Sequence, residues 1–516
     1  MTVWKRLKSR VRSCMLLYLA VFSASVLAYL LLIANGLTNT YDGMWAGSYY
    51  RDYAWVLTIG RWFWPFIGYG RLHISPEPFT SFVALALFSA GACLAVDLFH
   101  GAGNFRGYTA ALLMLVNTAV CSSLSYRYMS PTFGMAFFLS VAAVWFLHAR
   151  ERFGWILAAG CVTLALGAYQ ADIGCTCVLI LLLLIEMVSE GETFRKTAAF
   201  AAKAAAALAV SCILYKLIWN FWLAYFHLET SGYKGADRLT VSHMLERFPY
   251  RFQDAFQEFA GFYFENHIKH NAFQEAGIYK PVFLLFVLLF LRMAWIAAKK
   301  AAWRGAVILF LAAMIPAAAN IAMLMAPDGG GLMVQMTMPE ILVVSMPVCF
   351  FRPEEGAGKA LRTLYLVPVI CTVFLLYGSF LMVSTDQQVM LDSRHATVQL
   401  MNRVIGDLEM REDVNTDLPM VFLGTPAKNS DYQTCDLWDY ANPYARYGAF
   451  WTDGGTGTYS YKALMQYCGV RFSVNMEEDL WHELEKRPEL QAMPAFPGKG
   501  CVKEIDGVIV VKMSDY

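Results

Sequence analysis

Apolar stretches recur along this chain between short polar turns, and about eleven of them approach the twenty or so residues that a helix needs to cross a bilayer. They fall at roughly 14–34, 79–99, 108–125, 132–148, 153–171, 173–188, 198–224, 281–298, 303–325, 332–351 and 363–383. The pattern predicts an all-α polytopic membrane bundle. Three intervals are too long to be simple connections: 35–78, 227–280 and the tail beyond 384. In the second, Met244, Leu245, Phe248, Phe252, Phe256 and Phe259 recur at helical spacing beside Arg247, Arg251 and Asp254. That spacing predicts a helix lying in the membrane interface or packed over the bundle. The tail changes character, with short apolar runs at 420–423 and 508–512 on either side of a helical segment at 477–486. This is the pattern of a small α/β domain. The chain therefore divides into a basic segment 1–13, a membrane domain 14–384 and a carboxyl-terminal domain 385–516.

Composition narrows the class. Of 516 residues, 58% are hydrophobic and only 16% charged, and the mean hydropathy is +0.43, which excludes an ordinary water-soluble enzyme. A net charge of +1 gives no electrostatic footprint for a nucleic acid. The distribution of charge says more. Lys5, Arg6, Lys8, Arg10 and Arg12 precede an apolar run longer than the core of a cleavable signal, which predicts an uncleaved first span with a cytoplasmic amino terminus. Arg106, then Arg150 and Arg152, Arg195 and Lys196, Lys299, Lys300 and Arg304, and finally Arg352, Lys359 and Arg362 occupy alternate turns. Among the short turns on the opposite face only Arg127 is basic, so the positive-inside rule puts the long loops and the carboxyl-terminal domain outside. Of the twelve Cys only Cys435, Cys468 and Cys501 lie outside the spans, without metal-ligand spacing, which allows at most one disulfide.

The densest chemistry lies in the first outer loop, where Asn35, Asn39, Asp42, Arg51, Asp52, Arg61 and a series of Trp and Tyr alternate. Sugar rings stack on aromatic faces and offer hydroxyls to carboxylates, and Arg forks match phosphate oxygens. An aromatic belt at the headgroup level is the alternative for Trp62 and Trp64. Elsewhere, Glu340 falls well inside the tenth predicted span, where an ionisable group is expensive unless it faces a cavity or a partner. Arg292 is placed to snorkel. Asp328, in the turn 327–331, could join a site or end a helix. The strand and turn reaching Gly424, Thr425 and Pro426 lacks the Lys of a phosphate loop.

Three short motifs, Leu37-Thr38-Asn39-Thr40-Tyr41-Asp42, Gly60-Arg61-Trp62 and Leu166-Gly167-Ala168-Tyr169-Gln170, together with the topology, resemble the bacterial multi-pass glucosyltransferases of serotype conversion. These belong to the GT-C class of lipid-linked-sugar transferases, and the resemblance covers roughly 14–384. It implies transfer of a glucosyl or related hexosyl group from a polyprenyl-phosphate donor to a cell-envelope glycan, at the outer face of a bacterial plasma membrane. The implied partners are that donor, the glycan acceptor and the lipid bilayer. In the class an acidic residue of the first outer loop serves as base, and Asp42 is the matching position, with Asp52 a second carboxylate. Arg61, with Arg51 or Lys216, would hold the departing phosphate, while Trp62, Tyr169, Gln170 and Asp172 would bind substrate, a helix cap being the alternative for Asp172. Glu340 is a further substrate-binding candidate. No cofactor is called for, although Asp42 and Asp52 could together hold a divalent ion, Mg or Mn. A transporter or flippase of lipid-linked glycans, or an envelope-glycan polymerase or ligase, are the competing readings.

Overall fold

The computed structural model describes residues 3–39, 53–149, 153–238, 240–265, 279–326, 328–351, 358, 365–429, 433–446, 456–475 and 477–515. The fold is mostly helical. Among the described residues six helices are long and apolar enough to cross a membrane: Phe79–Leu98, Ser130–His148, Gln170–Ser189, Phe194–Phe226, Tyr279–Lys300 and Val367–Glu409. The pair Phe105–Leu115 and Thr118–Ser125, bent by 43°, would make a seventh, and shorter apolar helices occupy Arg12–Ala28, Gly154–Ala168, Ala302–Ala313 and Met338–Cys349. All eleven predicted spans are thus helical in part, but only six or seven meet the length on their own.

The shortfall has local causes. The stretch 303–325 breaks into Ala302–Ala313, Ile315–Ala319 and Ile321–Met325, with Pro316 opening the second piece and Asn320 separating it from the third. The stretch 332–351 becomes a 3-10 turn, Val334–Met336, followed by Met338–Ser345 and Pro347–Phe350, and Pro339 and Pro347 open the two helices. Proline lacks the N–H that a continuing helix requires, so it is tolerated at these first turns and breaks the run before them. The first span is interrupted at Tyr29, between Val3–Ala28 and Leu30–Asn35. The Tyr29 hydroxyl donates to the Leu115 and Asn117 carbonyls (2.8 and 3.0 Å), at the bend of the Phe105–Leu115 pair. Asn117 then caps Val120 N–H at 3.0 Å. Unwound backbone groups at this depth are satisfied by side chains, as a nonaqueous surrounding demands.

Helices approach closely where small residues face one another. A methyl group on Gly134 would come within 2.7 Å of the Ala84 carbonyl, and one on Gly91 within 2.7 Å of the Phe137 ring. These contacts pack Phe79–Leu98 against Ser130–His148 in the manner expected of membrane helices.

The last helix, Val367–Glu409, continues without a break through residue 384 and carries the chain from the bundle into the carboxyl-terminal unit. Its final turns bury Leu400, Met401, Val404 and Leu408 against Met420, Phe422, Ile509 and Val511. There a three-stranded sheet is ordered β1-β3-β2, from Met420–Leu423, Val508–Lys512 and Val502–Ile505. β1 and β3 are parallel and β2 and β3 antiparallel. This unit is lashed to the bundle. Gln387 accepts from Leu32 N–H and donates to the Ala28 carbonyl, both at 3.0 Å, and Arg394 donates to the carbonyls of Asn35 (2.6 Å) and Gly36 (3.2 Å). Fully buried Asp386 accepts from Asn442 N–H and Nδ2 (2.8 Å each) and from the Tyr444 hydroxyl. All twelve cysteines are free, so the single disulfide that the sequence allowed is not formed.

Candidate active site

The site is built where two of the three motifs meet. After the short helix Ala54–Thr58 the chain turns at Gly60, whose φ of +83° suits glycine. A methyl group there would collide with the Tyr215 hydroxyl. Gln170 donates to the Ile59 carbonyl (2.9 Å) and to the Tyr215 hydroxyl (3.1 Å), and Phe63 N–H donates to the Gly167 carbonyl at 2.8 Å. Gly167 also admits the Trp62 ring, which a methyl group would meet at 2.6 Å. The turn holding Arg61 is thereby clamped onto the ends of Gly154–Ala168 and Phe194–Phe226. Trp62, only 4% exposed, is part of that clamp. The donor groups of Gln170 are likewise committed to positioning the turn.

Arg61 itself is not consumed by this scaffold. Its guanidinium lies over the Tyr169 ring, 5.2 Å from the centroid, an arrangement that holds a planar cation without neutralising it. Its Nε is buried with no hydrogen-bond partner among the described residues. Tyr169 packs edge-to-face on Phe133 (4.7 Å between centroids), lies beside Gln335, and is within electrostatic reach of Asp172 and Tyr233.

Beneath Tyr169, a small internal cavity is lined by Asp172, Gln335 and Ser123 among Phe88, Phe133 and Met338. Asp172 is 5% exposed. It directly precedes helix Ile173–Ser189 yet makes no capping hydrogen bond, so the helix-cap alternative is not what the structure shows. It is one of the residues lining the cavity instead. Gln335 accepts from Ser122 at 3.1 Å. Ser122 in turn accepts from Ser125 at 2.7 Å, and Ser125 receives Asn39 Nδ2 at 2.9 Å. The first motif thus reaches the same end of the bundle through Asn39. Asp42, Arg51 and Asp52 lie outside the described residues.

The second long loop closes over this end. Ser231 N–H donates to the Thr58 carbonyl (3.1 Å) and Tyr233 meets Trp55 edge-to-face (5.5 Å). The following turn places half-buried Lys234 near Arg61, and burial together with the Arg61 guanidinium pushes the Lys234 ammonium below its ordinary range. Asp328 pins this loop, accepting from His243 Nε2 at 3.1 Å with Arg238 at 3.8 Å. Asp328 is thus an anchor between two loops.

Two predicted residues stand apart. Lys216 lies over the Trp219 ring at 4.0 Å, one position beyond Tyr215. Glu340 sits in the first turn of Met338–Ser345, not deep within a continuous span, because the helix begins later than the apolar run. Both its carboxylate oxygens and the Asn320 carbonyl oxygen are buried without partners among the described residues. Cys175 lies within electrostatic reach of Asp172 and Glu340. Among the described residues no group of three or more His, Cys, Asp or Glu could hold a metal ion. Tyr215, Lys234 and Gln335 were not singled out by sequence. The only available signals were a Tyr next to Lys216, a Lys-Gly turn in a long loop, and a lone Gln beside an apolar run.

Compared with known families, residues 40–351, more than half of the chain, match the family described as Glucosyl transferase GtrII. No curated protein matches the chain.

Proposed function

Because the chain belongs to the Glucosyl transferase GtrII family and is a membrane glycosyltransferase, we propose that it moves a glucosyl or related hexosyl group from a polyprenyl phosphate to an envelope glycan. The transfer takes place at the outer face of a bacterial plasma membrane, the helical pieces contributing eleven crossings and the carboxyl-terminal domain standing outside. The carrying observation is Arg61, clamped by the Gly60-Arg61-Trp62 turn and the Tyr169-Gln170 segment, with its charge unpaired among the described residues.

A partly buried guanidinium without an ion pair among the described residues fits an anionic leaving group. In the transfer, the acceptor hydroxyl oxygen bonds to the anomeric carbon while the bond from that carbon to the phosphate oxygen breaks. The electron pair leaves with the phosphate, which Arg61 holds. The acceptor proton passes to a carboxylate, for which Asp42 is the first candidate and Asp52 the second. Arg51 and Lys216 are further candidates for the phosphate. Tyr169, Asp172, Trp62 and Gln170 are the candidates for shaping the sugar site around that phosphate. Glu340 is held in reserve at the neighbouring helix. A Mg or Mn ion on Asp42 and Asp52 is an accessory that the chemistry does not require, because phosphate is already a good leaving group.

The test is transfer of radiolabelled glucose from polyprenyl-phosphate-glucose in membranes carrying the natural chain or Asp42→Asn at equal abundance. The natural chain should transfer, and the variant should lose about 10²–10⁴-fold, the usual contribution of a positioned base. Full activity in Asp42→Asn would pass the role to Asp52. No transfer by the natural chain would overturn the donor assignment.

A further inference from the structure

The motifs single out Arg61, with Arg51 or Lys216 as further cations, yet the fold brings to Arg61 a cation that none of them includes. Lys234 arrives from a loop some 170 residues later in the chain than Arg61 (234 against 61), and its placement is over-determined. Ser231 is bonded to Thr58, three residues before Arg61, and Tyr233 is packed on Trp55. Lys234 itself adopts φ +52° and ψ +31°, followed by Gly235 at φ +70°. A non-glycine residue in the left-handed region costs about 1 kcal/mol or more and persists only where its surroundings impose it. The next residue must be glycine, because the Cβ of Asp328 would lie 2.5 Å from a methyl group on Gly235, and Asp328 is itself fixed by His243.

Two half-buried cations held near each other, neither with an ion pair among the described residues, repel one another. Such an arrangement is stable when an anion occupies the space they share. The charge of that anion is informative. A polyprenyl phosphodiester donor carries one negative charge, whereas the phosphate monoester it leaves behind carries nearly two at neutral pH. Arg61 alone balances the donor.

We propose that Lys234 is a catalytic residue that binds the leaving phosphate beside Arg61 and matches the second negative charge that appears as the glycosidic bond breaks. The proposal rests on the lipid-phosphate donor reading above. The bond from the anomeric carbon to the phosphate oxygen breaks with its electron pair staying on that oxygen, and the Lys234 ammonium meets the new charge without giving up a proton. Interactions stronger in the transition state than in the bound donor raise turnover and leave ground-state binding little changed. Lys234 therefore acts on kcat and Arg61 on donor binding as well.

The experiment uses the full-length protein in detergent, with short-chain polyprenyl-phosphate-glucose as donor and the matching short-chain polyprenyl phosphate as product inhibitor. Lys234→Met should lower kcat about a hundredfold, the loss typical of one electrostatic stabiliser, with the donor KM little changed and inhibition by the polyprenyl phosphate weakened. Lys234→Arg should restore most of both. A Lys234→Met variant with natural kcat, or one whose loss lies in KM alone, would overturn the proposal and leave the donor reading intact. A fall in kcat that Lys234→Arg does not restore, with inhibition by the product unchanged, would assign Lys234 a structural role and also overturn it. No transfer by the natural chain would remove the donor reading and the proposal with it.

Discussion

At the scale of single residues, the site depends on groups that position Arg61 more than on groups that surround it. Gln170, Gly167, Tyr215 and Trp62 spend their hydrogen-bonding and packing capacity on the turn at Gly60. Trp62 and Gln170 stood out in the sequence as residue types that bind sugars, and the structure shows in addition that Trp62 packs on Gly167 and that Gln170 donates to the Ile59 carbonyl and the Tyr215 hydroxyl. The Gly60-Arg61-Trp62 motif was legible because its glycine and its arginine serve different ends at adjacent positions. Gly60→Ala tests the turn directly. The added methyl group meets the Tyr215 hydroxyl at a backbone conformation that alanine rarely adopts. The expected cost is about 1–3 kcal/mol, read as a lower melting temperature of the detergent-solubilised protein, with loss of transfer because Arg61 moves with the turn.

At the scale of elements, breaks and joints carry the information that periodicity alone could not. The apolar runs at 303–325 and 332–351 read as continuous spans, yet proline and a buried Asn divide them, and Glu340 consequently lies at a helix start. The helix Val367–Glu409 shows the opposite behaviour. Polar residues begin near 384 in the sequence, while the helix persists because its polar groups find partners on other elements. Gln387 binds the broken first span, and Asp386 gathers Asn442 and Tyr444. Asp386→Ala would leave those buried donors unpaired and should cost about 3–5 kcal/mol, as breaking one side of a buried polar network does. The expected result is an early unfolding transition of the carboxyl-terminal unit in a calorimetric scan, smaller in Asp386→Asn; an unchanged scan would show that the latch contributes nothing.

At the scale of the whole molecule, the candidate site and the joints to the carboxyl-terminal unit share one end of the bundle. Arg61, Lys234, Asp172 and the anchor points of the carboxyl-terminal unit all cluster toward the end from which Asn39 emerges. On the proposal drawn from the basic turns, that end lies outside. Cysteines introduced singly at Glu489, in the carboxyl-terminal unit, and at Gly358, among the basic turns, should behave oppositely toward an impermeant thiol reagent on intact spheroplasts, measured against the labelling of the unaltered chain. Glu489→Cys should be labelled and Gly358→Cys protected until the membrane is opened. The reverse pattern would move the site to the cytoplasmic face, where sugar nucleotides are at hand, and would remove the reason for a lipid-linked donor.

Hydropathy and charge determined by themselves that this is a helical membrane protein with a small mixed domain at its carboxyl end, because apolar length and the cost of moving Lys and Arg across a bilayer are local properties of the chain. The three motifs, as residues in order, were also enough to point to the family. Tertiary structure alone decided how the helices are divided, that Trp62 and Gln170 hold the turn at Gly60, that Asp172 lines a cavity and makes no capping hydrogen bond, and that the loop carrying Lys234 reaches the Arg61 turn. Those features depend on contacts between residues far apart in the chain, and a cation's partner is set by what the fold places beside it, which no periodicity or spacing encodes.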